Sequence, residues 1–327
     1  MSLSVIVCDD SKFARSQLIK GLPKDLKKNL KEVSDGLQAL ELIRSGFGEL
    51  MFLDLNMPNM DGYQVLEEIK KAQLDILVIV ITGDIQAAAE KKIMSLGALA
   101  YLKKPLDFNS LFEVLKKYGL ADELETEDGD DVYVGAEVTY RDKLQEVLNI
   151  STGKAAKQLG DLLNIFINLP IPVVSELKGR NLCDDIKYNL LSDDDILIGA
   201  GFSGSCMNGE ILISYSADCI DNLLHLLVDD SELVSGRKAT MIELSNLVIS
   251  TLMNGVGEQL GVQFSRTHPS IVRLSENIQL LSPELADKGI LNVKMVYTIP
   301  DRNIDCVLYL LFTEDSLPHL EERLSYI

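Results

Sequence analysis

From Ser4 to Tyr118 short β-branched or aliphatic runs alternate with amphipathic stretches: Val5-Ile6-Val7, Leu50-Met51-Phe52-Leu53 and Ile76 to Ile81, with apolar residues at helical spacing between them. This alternation predicts a βα repeat built on a parallel sheet. The pattern breaks at Asp122 to Asp131, where seven of ten residues are carboxylates. Such a self-repelling stretch cannot bury a core, so residues 121–136 read as an extended linker. Beyond it the pattern repeats itself. A helical stretch from Glu137 to Leu159 leads to strand-like segments at Ile196 to Phe202 and Glu210 to Tyr215 and a short helix near Cys219 to Leu227. A second helical stretch, Arg237 to Leu260, leads to strand-like segments at Leu291 to Ile299 and Cys306 to Phe312 and a helix near Ser316 to Leu324. The second domain, 137–327, is thus expected to be a duplicated α-β-β-α unit, with repeats at about 137–230 and 237–327.

A chain of 327 residues is long enough for two cores, in keeping with a first domain at 1–120 and a second after the linker. No apolar run approaches the ~18 residues of a membrane span, and Met1 to Cys8 lacks the basic start of a secretory signal, so a cytoplasmic protein is expected. The five cysteines form no CxxC pair and lie mostly in apolar runs, as reduced, packed thiols do. The net charge is −19, yet residues 1–120 hold 16 acidic and 16 basic side chains, so the whole excess belongs to the rest of the chain. An acidic second domain repels phosphate backbones and anionic lipids; the expected partner is protein, not nucleic acid or membrane.

The chemistry-bearing residues of the first domain fall where its strands end. Asp9 and Asp10 follow the first strand, Asp54 ends the third in LDLNMPNMDG, Thr82 ends the fourth in ITGD, and Lys104 precedes Pro105 in GALAYLKKP. In an open parallel sheet these positions gather at the carboxyl edge, where such folds build their sites. Three gathered carboxylates need a hard divalent cation, and Mg²⁺ suits carboxylate ligands plus water. Over its whole length this domain resembles the CheY-like receivers of two-component response regulators, with a flavodoxin-like, doubly wound (βα)5 fold. The resemblance implies Asp54 as the nucleophile toward phosphorus, with Mg²⁺, Lys104 and the Thr82 hydroxyl stabilising the transferring oxygens. It also implies a histidine kinase as phosphodonor, Tyr101 as the switch aromatic that turns inward with Thr82, the Asn56 backbone carbonyl as a further metal ligand, and Asn56 and Asp84 as residues that tune the lifetime of the phosphoryl group.

The two long helical stretches share a spacing. Glu146 and Asn149 are followed by Pro172, and Glu243 and Asn246 by Pro269, both as E-x2-N-x22-P with 97 residues between corresponding positions. One match at a given start has a chance of about 1 in 10⁴, so two in register are not accidental. The spacing resembles the CheC and CheX family of chemotaxis phosphatases, over about residues 136–327. Asp142 matches the position that opens the family's motif; the second copy has Ala239 there. Residues three apart on a helix project from nearly one face, so Glu and Asn can enter one cleft. An acyl phosphate is already reactive, and a receiver brings its own Mg²⁺ and lysine. A carboxamide need only hold a water in line, which assigns Asn149 and Asn246 to the water, and Glu146 and Glu243 to the lysine of the bound receiver. Gly153, Gly255 and Gly257 in or near these helices fit close packing or a close approach of the partner.

Three substrates or roles follow. The second domain dephosphorylates a separate response regulator under control of Asp54; or it dephosphorylates its own receiver, as a phosphate sink; or it binds phosphorylated receivers without hydrolysis, as an adaptor. A receiver's last helix returns to the sheet edge away from Asp54, and about 16 linker residues span at most about 50 Å, which favours the separate regulator. Monomer and homodimer both fit the resemblance.

Overall fold

The computed structural model describes residues 3–121, 138–188, 192, 194–227, 233–272, 289–299, 302 and 304–327. All but the first residue of the predicted linker, 121–136, lies outside these. The chain forms two compact units, Met1–Glu146 and Val147–Ile327.

In the first unit five strands, β1 (Val5–Cys8), β2 (Leu30–Val33), β3 (Leu50–Leu53), β4 (Leu77–Thr82) and β5 (Ala100–Lys103), form a parallel sheet in the order β2-β1-β3-β4-β5. Every residue of β1 and β3 is buried, which is why they read as unbroken apolar runs: helices cover both faces of such a sheet. The helices are α1 (Lys12–Gly21), α2 (Lys24–Lys27), α3 (Gly36–Arg44), α4 (Gly62–Ala72), α5 (Ala87–Ser95) and α6 (Phe108–Lys117). Val5, Val7, Leu50, Phe52, Ile79 and Ile81 pack with Leu18 and Ile19 of α1 and Leu111 and Leu115 of α6. The alternate residues Ile6, Cys8, Met51, Leu53, Val78 and Val80 are buried as well and point to the other face. Of α1 to α6, four start on a side-chain cap: Ser11, Asp35, Asp61 and Asp107 each accept a backbone N–H of the first turn. The caps fix where each loop ends, and so fix the residues at the carboxyl edge of the sheet.

Helix α7 (Tyr140–Leu163) begins in the first unit and continues into the second. The second unit continues with β6 (Val173–Lys178), α8 (Gly179–Tyr188), β7 (Ile196–Gly204), β8 (Met207–Tyr215), α9 (Ala217–Leu227), α10 (Leu233–Leu260), β9 (Ser265–Arg266), β10 (Ser270–Val272), β11 (Gly289–Ile299), β12 (Ile304–Thr313) and α11 (Leu317–Ser325). The helix-strand-strand-helix order expected in each half is present, with β6, α8, β9 and β10 in addition. The sheet is antiparallel, in the order β10-β7-β8-β12-β11-β6, with β9 also on β7. It reads alike from either end, because the edge strands are exchanged: β6 of the first half pairs with β11 of the second, and β10 of the second with β7 of the first. Pro172 and Pro269 are both buried and each immediately precedes an edge strand, where a missing N–H costs least.

On one face of this sheet Leu197, Leu212, Ile290, Tyr309 and Leu311 pack against Leu182 and Ile186 of α8. On the other, Ile213, Tyr215, Tyr297 and Leu308 meet Leu159, Leu223, Leu244 and Val248 of α7, α9 and α10 around one small cavity. Helices α7 and α10 approach closely: a Cβ on Gly255 would lie 2.9 Å from Ser151 Cβ and 3.0 Å from its Cα, so only glycine fits. Close packing is thus what Gly255 serves. Of the five cysteines, all free thiols, Cys8 and Cys219 are buried as expected. Cys206 is exposed instead, because it forms the β7–β8 turn with Ser205, both at positive φ (62° and 48°).

Candidate functional site

Four strand ends of the parallel sheet, those of β1, β3, β4 and β5, bring the predicted receiver residues together. One carboxylate oxygen each of Asp9, Asp10 and Asp54 lies within 4.8 Å of the others. Lys104 Nζ donates to Asp9 Oδ2 at 2.7 Å and stands 3.5 Å from Asp54 Oδ1. Asp54 and Lys104 are buried, and Asp10 Oδ1 is buried without a hydrogen-bond partner among the described residues. Burial pushes the Asp54 carboxyl up to about 7 against the pull of Lys104, with Asp9 and Glu146 pushing further. Burial, Asp9 and Asp54 push Asp10 up to about 8. Burial works against the Lys104 ammonium, but Asp54, Asp9 and Glu146 together hold its pKa well above the lysine range. Fully ionised, the three aspartates would carry more negative charge than one lysine balances, and the buried orphan oxygen and hard donors fit a small divalent cation.

Around this centre the Asn56 N–H donates to Asp54 Oδ2 at 3.2 Å. The Thr82 hydroxyl accepts the Asp84 N–H at 3.2 Å, and the Tyr101 hydroxyl donates to the Asp84 carbonyl, so the two predicted switch residues meet at one backbone segment. The Asp84 carboxylate accepts from the Tyr63 hydroxyl and from Gln86, and burial raises its pKa. Sequence reasoning missed Arg15, whose guanidinium is buried, pairs with Glu32 at 3.0 Å and donates to the carbonyls of Asp9 and Asp10. Its signal was faint: an arginine one turn into α1, on the face toward the sheet.

The remaining predicted residues lie on the two long helices. Asp142 sits in the first turn of α7, where its carboxylate accepts the Thr139 N–H and hydroxyl and the Thr139 hydroxyl accepts the Asp142 N–H, a reciprocal cap. Within the first unit, Glu146 Oε1 lies 3.3 Å from Lys104 Nζ. Glu146 is 6% exposed and its Oε2 has no hydrogen-bond partner among the described residues; burial raises its pKa against the pull of Lys104. Gln145, another residue that sequence reasoning missed, donates from Nε2 to Asp10 Oδ2 at 2.9 Å. In the second unit Asn149 is 4% exposed, and among the described residues neither its Oδ1 nor its Nδ2 has a hydrogen-bond partner. Glu243 and Asn246, at the corresponding positions of α10, are both exposed.

Residues 5–116 match the response regulator receiver domain family. The chain is 31% identical over 120 residues to sporulation initiation phosphotransferase F of Bacillus subtilis, covering 36% of this chain and 94% of that protein. It is 32% identical over 116 residues to the transcriptional regulatory protein ZraR of Escherichia coli, covering 36% of this chain but 26% of ZraR. Among solved structures it is similar to Thermotoga maritima FliY, with 18% identity, a TM-score of 0.44, and coverage of 57% of this chain and 96% of that one. Among the described residues no helix is long and apolar enough to cross a membrane. Through the receiver at its N-terminal end, with the Asp9, Asp10, Asp54, Thr82 and Lys104 cluster at the carboxyl edge of a parallel sheet, the chain belongs to the response regulators.

Proposed function

We propose that Asp54 accepts a phosphoryl group from a histidine kinase and that the second domain hydrolyses the aspartyl phosphate of a receiver. The observation that carries the second half is the Glu146 carboxylate 3.3 Å from Lys104 Nζ, the pairing that a glutamate reading a receiver's lysine requires. The unpartnered Asn149 carboxamide, one helical turn along, supports the companion role, since a buried amide with no protein partner is suited to hold a water.

Phosphorylation begins with attack of an Asp54 carboxylate oxygen on the donor phosphorus, with loss of the donor's imidazole. Lys104 neutralises charge on the phosphoryl oxygens, and the Thr82 hydroxyl donates to one of them. Asp9, Asp10 and Asp54 would hold Mg²⁺, which supplies further charge neutralisation on the same oxygens. In hydrolysis Asn149 or Asn246 orients a water oxygen on phosphorus opposite the oxygen of the phosphorylated aspartate. The new P–O bond forms as the bond to that aspartate breaks, the carboxylate leaves with its electron pair, and the water's protons stay with the released phosphate. Glu146 or Glu243 sets the register of that attack through the receiver's lysine. No nucleophile or base of the second domain is consumed.

The test loads the full-length protein with acetyl phosphate in Mg²⁺, removes the donor, and follows hydrolysis of its own phosphoryl group and that of a separate phosphorylated receiver. Asn149→Ala/Asn246→Ala is expected to slow at least one of the two by about 100-fold, the order lost when a positioned group is removed. Equal decay with and without the substitutions on both substrates would leave a binding adaptor and end the phosphatase reading.

A further inference from the structure

We infer that the first glutamate-asparagine pair serves the chain's own receiver, and that Gln145 is a positioning residue for that assignment; the inference rests on the phosphatase reading above. Three contacts inside the first unit carry it. Glu146 pairs with Lys104, Gln145 donates to Asp10, and Lys143 Nζ lies 5.6 Å from the centroid of the Phe13 ring. Together they engage the two loops that any receiver-directed phosphatase must read, the one after β1 and the one after β5. Lys104 is thereby shared by Asp9, Asp54 and Glu146, so the glutamate already holds the lysine that neighbours the phosphoryl acceptor.

The second copy is built differently at the same places. Position 97 beyond Gln145 is Ile242, which has no donor for an aspartate, and Glu243 and Asn246 are exposed where Glu146 is buried. An amide on Asp10 is a specific device: it binds the carboxylate oxygen that faces it while leaving Oδ1 to other ligands. The first pair thus has a fitted substrate in the same chain, and hydrolysis there consumes one water and returns Asp54 and inorganic phosphate.

The experiment follows phosphoryl loss from full-length protein at chain concentrations from about 1 to 100 μM, with and without excess Asp54→Asn chain. The expected result is a first-order constant that neither concentration nor the added chain changes, lowered at least about tenfold by Asn149→Ala and several-fold by Gln145→Ala. Gln145→Ala is also expected to shift the Mg²⁺ dissociation constant, read by titration calorimetry, because it removes a hydrogen bond to Asp10. A packing defect alone would lower the melting temperature and move neither quantity. A decay constant that rises with concentration or with added Asp54→Asn chain assigns hydrolysis to neighbouring chains and overturns the inference while the phosphatase reading stands. If Asn149→Ala leaves its own decay unaltered but slows hydrolysis of a separate receiver, the inference again falls alone. If the asparagine substitutions alter neither, both fall.

Discussion

Gly62→Ala tests how tightly the phosphoacceptor loop is closed. Gly62 is the first residue of α4, and its N–H donates to the Leu55 carbonyl at 3.0 Å. A Cβ there would lie 2.3 Å from the Asp54 carbonyl oxygen and 2.8 Å from Leu55 Cα. Both neighbours are backbone, so no side chain can swing aside, and relief to an ordinary contact of about 3.5 Å needs a shift of about 1 Å in the loop that carries Asp54. Overpacking of this kind costs about 1–3 kcal/mol, and backbone neighbours place it at the upper end. Alanine's better helix propensity returns less than about 1 kcal/mol. The net loss is about 2 kcal/mol, which predicts roughly thirtyfold faster hydrogen exchange of the β3 amides if they exchange through receiver unfolding. The same displacement predicts about 100-fold slower phosphoryl uptake from acetyl phosphate. Gly201→Ala is the matched control, because its Cβ would meet nothing closer than Thr267 at 3.7 Å. Exchange and uptake within twofold of wild type in Gly62→Ala would refute the reasoning.

Lys104→Met keeps the volume and removes the cation shared by Asp9, Asp54 and Glu146; at pH 8 in EDTA it is expected to cost about 3–5 kcal/mol in receiver stability. A change below about 1 kcal/mol in thermal unfolding would show that the cluster does not depend on that charge. Mg²⁺ at ten times its dissociation constant is expected to stabilise the wild-type receiver by about 1.4 kcal/mol, and Asp10→Ala to abolish most of that gain in a melting-temperature titration.

The receiver was legible because its chemistry lies at strand ends, and strand ends can be read from apolar runs followed by acidic residues or threonine. β2 gave less: Leu30–Val33 buries only Val33 fully, so Lys31 and Glu32 masked the strand. In the second unit the hairpin strands were found, but their turn was not, since Ser205 and Cys206 adopt positive φ without the Asn-Gly signature that usually marks such a turn. The edge strands escaped for the same physical reason that makes them edges. β6 has no fully buried residue and β10 is three residues long, so neither carries an apolar pattern. On the long helices, E-x2-N marked one face each of α7 and α10, but not that Glu146 is buried and Glu243 exposed. Identical residues at identical spacing differ there only in what lies against them. Gln145 left no trace at all, because a glutamine beside a glutamate on a helix is ordinary surface composition.

The departure at Ala239 has a local explanation that bears on the second pair. Asp142 is the third residue of α7, where orphan N–H groups need acceptors, and it forms a reciprocal cap with Thr139. Helix α10 starts at Leu233, so Ala239 is its seventh residue, where every N–H already has an i−4 partner and an aspartate would have nothing to cap. On this account the acidic residue follows the helix start and not the chemistry, and its replacement by alanine is expected to subtract nothing from Glu243 and Asn246. Asp142→Ala should then cost about 1 kcal/mol, felt as faster hydrogen exchange in the first turns of α7, with any loss of hydrolysis in proportion to that fraying. Ala239→Asp should weaken α10 by about 0.5 kcal/mol without raising turnover of a separate phosphorylated receiver. If Asp142→Ala abolished hydrolysis while α7 exchanged as in wild type, or if Ala239→Asp quickened turnover, the carboxylate would belong to the reaction and the capping account would be wrong.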